Sequence, residues 1–333
     1  MSLTSLFYPK SVAVIGASTH IGSVGYEIAK NLAKQGYRGR LYFVNPKGGK
    51  LFGRLMIGDL QKIAVPLDLA IIAIPAAYVV EDIRLLIPLK VKAVVVISAG
   101  FKETGNKKLE EELAKVCEDN QITLIGPNCL GVINPQVKLN ASFAPLMPTF
   151  GSVAFVSQSG AICASVLDYA RERNLGFSKF VSVGNKACVG EAELLDYLYK
   201  DMNTRVIAMY VEELEEIKTL REAAVKVSRG KPHKPIIVLK AGRSVEGRKA
   251  TLSHTGSLGS SDEAYEALFD QTGIIRAQTI EELFDFAECF ARNRVLTNDR
   301  VAIVTNAGGP GVISADAIAA SGQRAFKMSA LNP

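Results

Sequence analysis

The chain has 333 residues, 48% hydrophobic and 22% charged, with 39 Lys and Arg against 33 Asp and Glu. That length suits two domains and a further piece, and the composition suits a soluble globular protein with a sizeable core. The net charge of +6 is spread over interleaved signs with no basic tail or aromatic–basic stripe, so nucleic acid is not an expected partner, while an anionic small molecule is.

Five cysteines occur, none in a Cys-x-x-Cys pair, and they read as reduced thiols; no metal site is expected. The N-terminus has no basic segment leading into a long apolar run. The longest apolar stretches have the length of buried strands. A cytoplasmic location without a membrane span is therefore expected.

In chain order, β-branched runs at 12–15, 41–44, 69–74, 93–97 and 123–125 read as strands. Val24, Ile28 and Leu32 fall on one helical face, as do Leu109, Leu113 and Val116. Near-continuous apolar strands separated by helices imply a parallel sheet covered on both faces. Residues 1–134 are thus expected to form a Rossmann-like domain. Residues 135–150 hold several prolines and no helical period, and read as a linker.

A second βα series follows, with strands at 153–156, 180–183, 206–211 and 236–239 and helices at 161–173, 191–199, 217–227 and 281–292. It predicts a second doubly wound domain over 151–295, flavodoxin-like in order. Residues 296–333 begin a third α/β unit: a strand at 301–304, the turn Asn306-Ala307-Gly308-Gly309-Pro310-Gly311, and a helix from about Val312. One strand and one helix cannot enclose a core, so this unit reads as incomplete, from a truncated or a longer chain.

The first βα turn is Gly16-Ala17-Ser18-Thr19-His20-Ile21-Gly22-Ser23-Val24-Gly25. Glycines here let backbone approach a pyrophosphate at the following helix start. The second strand ends in Asn45-Pro46-Lys47, where a NAD site prefers an acid for the ribose. Lys47 offers a cation instead. The pattern predicts a phosphate-bearing ligand other than a nicotinamide dinucleotide; the alternative is a turn that only packs helix on strand.

Ser157-Gln158-Ser159-Gly160 opens a helix after a strand, which is either an anion site or simple capping by Ser159. His254 is one of three histidines and stands in Ser253-His254-Thr255-Gly256-Ser257, a setting in which backbone and hydroxyl donors can surround a phosphate. Glu212 follows a strand, where it can support a histidine or merely start a solvated helix.

Taken together, the chain resembles the α-subunit part of the NDP-forming acyl-CoA synthetases: acetate–CoA ligase (ADP-forming) and, more distantly, succinate–CoA ligase. The match rests on the segments above with Ser98-Ala99-Gly100-Phe101-Lys102-Glu103, Gly126-Pro127-Asn128-Cys129-Leu130-Gly131 and Ser182-Val183-Gly184-Asn185-Lys186, and it spans essentially the whole chain.

The resemblance implies a ligase that converts acyl-CoA, phosphate and ADP to the free acid, CoA and ATP through an acyl phosphate and a phosphohistidine. It implies His254 as the phosphorylated residue and Glu212 as its support. It places CoA, a substrate, near Gly16, Ser18, Gly22, Ser23, Val24, Gly25, Asn45 and Lys47, and phosphate near Ser159 and Gly160. ADP, ATP and Mg are expected on an ATP-grasp component, a β subunit or C-terminal domain, since nothing in this chain reads as one. The partners implied are that component, a small acyl substrate, and further subunits in a hetero- or homo-oligomer.

Two departures from the family pattern, Ala187-Cys188-Val189-Gly190 and Gly259-Ser260, bear on substrate detail more than on reaction class. The competing expectation is a non-catalytic CoA- or acyl-CoA-binding regulatory module, such as one fused to an acetyltransferase. The presence of His254 and Glu212 argues against it.

Overall fold

The computed structural model of the chain describes residues 3–63, 66–244, 246–247, 261–292 and 301–320. Met1–Ala291 form one compact unit and Arg292–Pro333 a second.

In the first unit, β1 (Ser11–Ile15) and β2 (Arg40–Val44) are followed by a small ribbon of β3 (Lys50–Leu51) and β4 (Arg54–Leu55). With β5 (Leu69–Ile72), β6 (Ala93–Val96) and β7 (Thr123–Ile125) they build a parallel sheet in the order β2-β1-β5-β6-β7. Strands β1, β5 and β6 are buried along their whole length, as their apolar runs require. Their alternating side chains serve two cores. Val12 and Val14 face one, Ala13 and Ile15 the other. The expected helix is Val24–Lys34, and it buries Ile28 and Leu32.

The second sheet contains β8 (Gly131–Asn134), β9 (Leu139–Ser142), β10 (Phe150–Ser157), β11 (Phe177–Ser182), β12 (Val206–Val211), β13 (Ile236–Lys240) and β14 (Ile275–Ala277), in the order β14-β13-β12-β10-β11-β8-β9. Counted alone, its parallel strands β10 to β14 run second-first-third-fourth-fifth, the flavodoxin-like order. The chain is thus α/β throughout this unit, with a Rossmann-like parallel sheet and a mixed flavodoxin-like one.

Two expectations need correction. Strand β8, assigned from sequence to the first domain, pairs with β11 of the second sheet, and the stretch expected as a linker supplies its hairpin partner β9. The reason is chemical. Asn140 and Ser142 are buried polar residues, bonded to each other at 2.6 Å, and Asn31 donates to the carbonyls of Ser142 and Ala144 at 2.8 and 2.7 Å. A polar strand satisfied from inside reads as a loop.

The second correction concerns 301–305, which are not a strand. A lone strand has no ladder to join. The helix there is Gly308–Ala320, with an earlier start than expected.

The two sheets share one core. Val12, Val14 and Leu69 of the first belong to the same buried cluster as Ala154, Val156 and Ile207 of the second. The helices Glu191–Lys200 and Ile217–Arg229 supply Leu194, Leu198 and Leu220 to it. Among the described residues no helix is long and apolar enough to cross a membrane.

Candidate active site

Both sheets point the C-terminal ends of their strands at the same region. In doubly wound sheets that edge is where ligands bind.

The glycine turn after β1 is built by close packing. Gly16 has φ +88°, and a Cβ there would lie 2.3 Å from the Ala73 carbonyl oxygen. A Cβ on Gly25 would lie 1.9 Å from the Gly16 carbonyl oxygen, so the helix presses onto the turn through a glycine. Ser18 Oγ accepts the His20 N–H at 3.0 Å. Ser23 caps the helix, accepting from the Tyr26 N–H at 3.4 Å and donating to the His20 carbonyl at 2.7 Å. Asn45 ties the ends of β1 and β2 together: Nδ2 donates to the Ala17 carbonyl at 2.7 Å, and Oδ1 accepts the Lys47 N–H at 2.9 Å. Lys47 is exposed. Gly16, Ser18 and Asn45 line a cavity of about 660 Å³ that Tyr78 and Asp82 also border.

A second cavity of about 700 Å³ lies between the two sheets' edges. Val24, Ser98 and Cys129 line it, as do Ser159 and Gly160. Ser159 caps the helix Gly160–Glu172 by accepting the Ile162 N–H at 3.3 Å. A Cβ on Gly160 would meet only Leu130, at 3.8 Å. Packing does not demand a glycine there; its effect is to leave the helix start open to the cavity. The Cys129 Sγ donates to the Val96 carbonyl at 3.3 Å, and burial pushes its thiol far up, which makes it a poor nucleophile.

The third cavity is small, about 40 Å³, and polar. Glu212, Gln158, Asn128, Asn185, Lys186 and Glu103 are among its lining residues. Burial works against the Glu103 carboxylate. The Gly100 N–H at 2.6 Å and the Asn185 amide at 2.6 Å outweigh it and hold its pKa below the ordinary carboxylate value. Burial, with Glu212 nearby, pushes the Tyr210 phenol up to about 12.

The three cavities run in series. The first two share Ala73, Ile74 and Pro75, and the second and third share Asn128 and Gln158. The structure thus distributes the expected residues along one cleft. Gly16, Ser18 and Asn45 stand at one end, Val24, Ser159 and Gly160 in the middle, and Glu212 at the other end. Gly22, Ser23, Gly25 and Lys47 do not line it.

His254 lies outside the described residues. Those on either side of its segment are anchored beside Glu212. The Ala241 N–H bonds the Val211 carbonyl at 2.9 Å, and Arg243 pairs with Asp262 at 3.5 Å. Lys240 is buried under the Tyr265 ring, 4.5 Å from its centroid, and burial pushes its pKa down.

Sequence reasoning assigned no role to Gln158, Asn128 or Lys186. The last two hold left-handed backbone, at φ 57° and 59°. Such strain is legible only in three dimensions.

Comparisons with known proteins agree with this architecture. Residues 10–135 match a family model described as a CoA binding domain, and residues 150–290 match one described as a succinyl-CoA ligase like flavodoxin domain. The chain is 48% identical over 314 residues to acetate–CoA ligase [ADP-forming] I of Archaeoglobus fulgidus, covering 94% of this chain and 45% of that protein. It is 43% identical to the α subunit of acetate–CoA ligase [ADP-forming] I of Pyrococcus furiosus, covering 95% of this chain and 69% of that subunit.

A solved structure of a Ca. Korarchaeum cryptofilum dinucleotide forming acetyl-coenzyme A synthetase 1, in complex with phosphate and ADP, superposes with a TM-score of 0.91 at 38% identity. The match covers 96% of this chain and 69% of that one. The chain thus spans less than half of the first relative and about two thirds of the other two. With a doubly wound CoA-type module, a flavodoxin-like module and identity at this level across nearly all its residues, the chain belongs to the ADP-forming acetate–CoA ligase family, in the part that corresponds to the α subunit.

Proposed function

We propose that this chain is the CoA-binding, phosphohistidine-carrying component of an ADP-forming acyl-CoA synthetase. The observation that carries the reading is the single cleft formed by three cavities in series. CoA lies with its nucleotide end over the glycine turn, in reach of the exposed Lys47, and extends its thioester past Val24 toward Ser159 and Gly160. Phosphate attacks the acyl carbon there. A C–O bond forms, the C–S bond breaks, and CoA leaves as the thiol. The helix N–H groups at Gly160 hold the anion by hydrogen bonding and by the helix dipole.

The acyl phosphate then gives its phosphoryl group to His254. A P–N bond forms and the P–O bond to the acyl group breaks, releasing the acid. Glu212 accepts the hydrogen bond of the other ring nitrogen and favours the cationic imidazole that results. An ATP-grasp component, whether a separate subunit or further residues of a longer chain, binds ADP and Mg and takes the phosphoryl group to form ATP. The presence of both His254 and Glu212 favours this reading over a purely regulatory CoA-binding module.

Calorimetry with the chain tests the cofactor half. CoA is expected to bind more tightly than NAD, and Lys47→Ala to weaken CoA by up to about fivefold, the scale of an exposed charge pair. Tighter binding of NAD would overturn the assignment.

Coupled assay tests the other half. With acyl-CoA, phosphate and ADP the chain alone is expected to form almost no ATP, and to form it once an ATP-grasp component is added. Full turnover by the chain alone would show the nucleotide site to be within it.

A further inference from the structure

The polar cavity is walled by a ring of hydrogen bonds closed by one ion pair. Gln158 Oε1 accepts the backbone N–H groups of Glu212 at 2.8 Å and Glu213 at 2.9 Å. Gln158 Nε2 donates to the Glu213 carbonyl at 2.6 Å and to Glu191 Oε1 at 2.5 Å. Lys186 closes the ring: its Nζ donates to the same Glu213 carbonyl at 3.0 Å and lies 3.6 Å from Glu191 Oε2. The side chains of Lys186 and Glu191 are 7% and 5% exposed, so this pair is almost out of water. Two donors and two acceptor positions of the Gln158 amide are all used, which fixes the side chain completely.

The placement of this ring gives it a purpose beyond cohesion. Neighbouring strands β10 and β12 end here, and their last backbone bond is from the Gln158 N–H to the Tyr210 carbonyl, 3.2 Å. Beyond it the chains part, one to Ser159 and the helix start, the other to Glu212. The Gln158 side chain extends the ladder past that point with one amide. Lys186 holds left-handed backbone to reach its place, a conformation unfavourable for a residue with a Cβ. Strain of this kind persists where surrounding contacts over-determine it, and it concentrates at functional sites.

We infer that Gln158, with Lys186 and Glu191, is a positioning device that holds the Glu212 carboxylate at a fixed separation from the helix start at Ser159 and Gly160. This rests on the phosphoryl-transfer reading above and names residues to which that reading gives no role. None of the three needs to touch the reacting atoms; they act through the backbone of Glu212.

The test uses Gln158→Glu and Lys186→Met, with acetyl phosphate as the phosphoryl donor. Gln158→Glu keeps shape and acceptors, loses both donors, and sets a carboxylate against Glu191. The new carboxylate repels Glu191 in a group that also holds Lys186 and, farther out, Glu215, and protonating it relieves that repulsion. When protonated, the new side chain regains one donor. At pH 8 the rate of protein labelling is expected to fall about 10–100-fold relative to wild type, the usual scale for a displaced supporting group. That ratio is expected to recover several-fold by pH 6. Lys186→Met is expected to lower the rate similarly without recovery at low pH. Both variants should stay folded at the assay temperature, although a buried Glu191 that loses its cation or gains a like charge lowers the thermal midpoint. Lys186→Met, measured on the same samples, should keep CoA affinity close to wild type.

Labelling by both variants at the wild-type rate across this pH range would overturn the inference. So would loss of CoA binding and of folding in both, which would make the ring a structural brace. Failure of the wild-type chain to take up any label, with CoA still bound, would overturn the phosphoryl-transfer reading itself, and the inference with it.

Discussion

The chain is expected to take an acid-labile, base-stable phosphate label from acetyl phosphate, and substituting His254 by alanine is expected to remove it. Neutral imidazole is the only nucleophile in the sequence Ser253–Ser257 that attacks phosphorus readily at neutral pH, and the serine and glycine neighbours in that sequence are small. The label on His254→Ala should fall to background. Glu212→Gln keeps the shape of the supporting group but not its charge, and should slow labelling about 10–100-fold. Equal labelling of His254→Ala and wild type would place the phosphoryl carrier elsewhere.

Lys179→Met is expected to produce the largest loss of stability. Lys179 sits in the middle of β11, paired in register with Ala154, and is fully buried. Its ammonium bonds Asp201 Oδ2 at 2.8 Å, donates to the Tyr8 hydroxyl at 3.2 Å and lies 5.1 Å from the centre of the Tyr8 ring. Removing the cation leaves Asp201 buried with only Thr204 and Asn203 as donors. Breaking a buried pair on one side costs about 3–5 kcal/mol, which lowers the melting point by on the order of 10 °C in a unit of this size.

The effect depends on pH. Burial raises the Asp201 pKa, but Lys179 outweighs it and holds the carboxyl below its ordinary value. The stabilisation is therefore complete above the unfolded carboxylate pKa of about 3.9 and is lost as pH falls through the lower folded value. The gap between variant and wild type should be full at pH 7 and narrow only as pH falls below about 4. A variant within about 1 kcal/mol of wild type at pH 7 would refute the account.

Much of the fold could be read because the parallel strands are apolar on both faces. Strand β12 coincides with the expected 206–211, and the helix Val24–Lys34 follows its apolar spacing. The hairpin β8–β9 was hidden by buried asparagine and serine, which look solvent-seeking until their partners are seen. Strand β14 was hidden by Arg276, whose charge is met by Asp262 and Glu266.

The site divides in the same way. Gly16, Ser159 and Gly160 announce themselves because turns and helix starts have local rules. Glu212 stands out by following a strand. Gln158 and Lys186 act on backbone groups 54 and 27 positions away, and no local pattern encodes such a bond.

The common core has a thermodynamic consequence. Because one buried cluster holds side chains of both sheets, neither sheet can lose its packing without exposing the other. Melting of residues 1–291 is then cooperative across the cleft. A ligand that binds the folded state at the glycine turn lowers the free energy of the whole unit, the edge carrying Glu212 included. Occupancy at one end of the cleft is felt at the other as resistance to unfolding, with no displacement of either sheet.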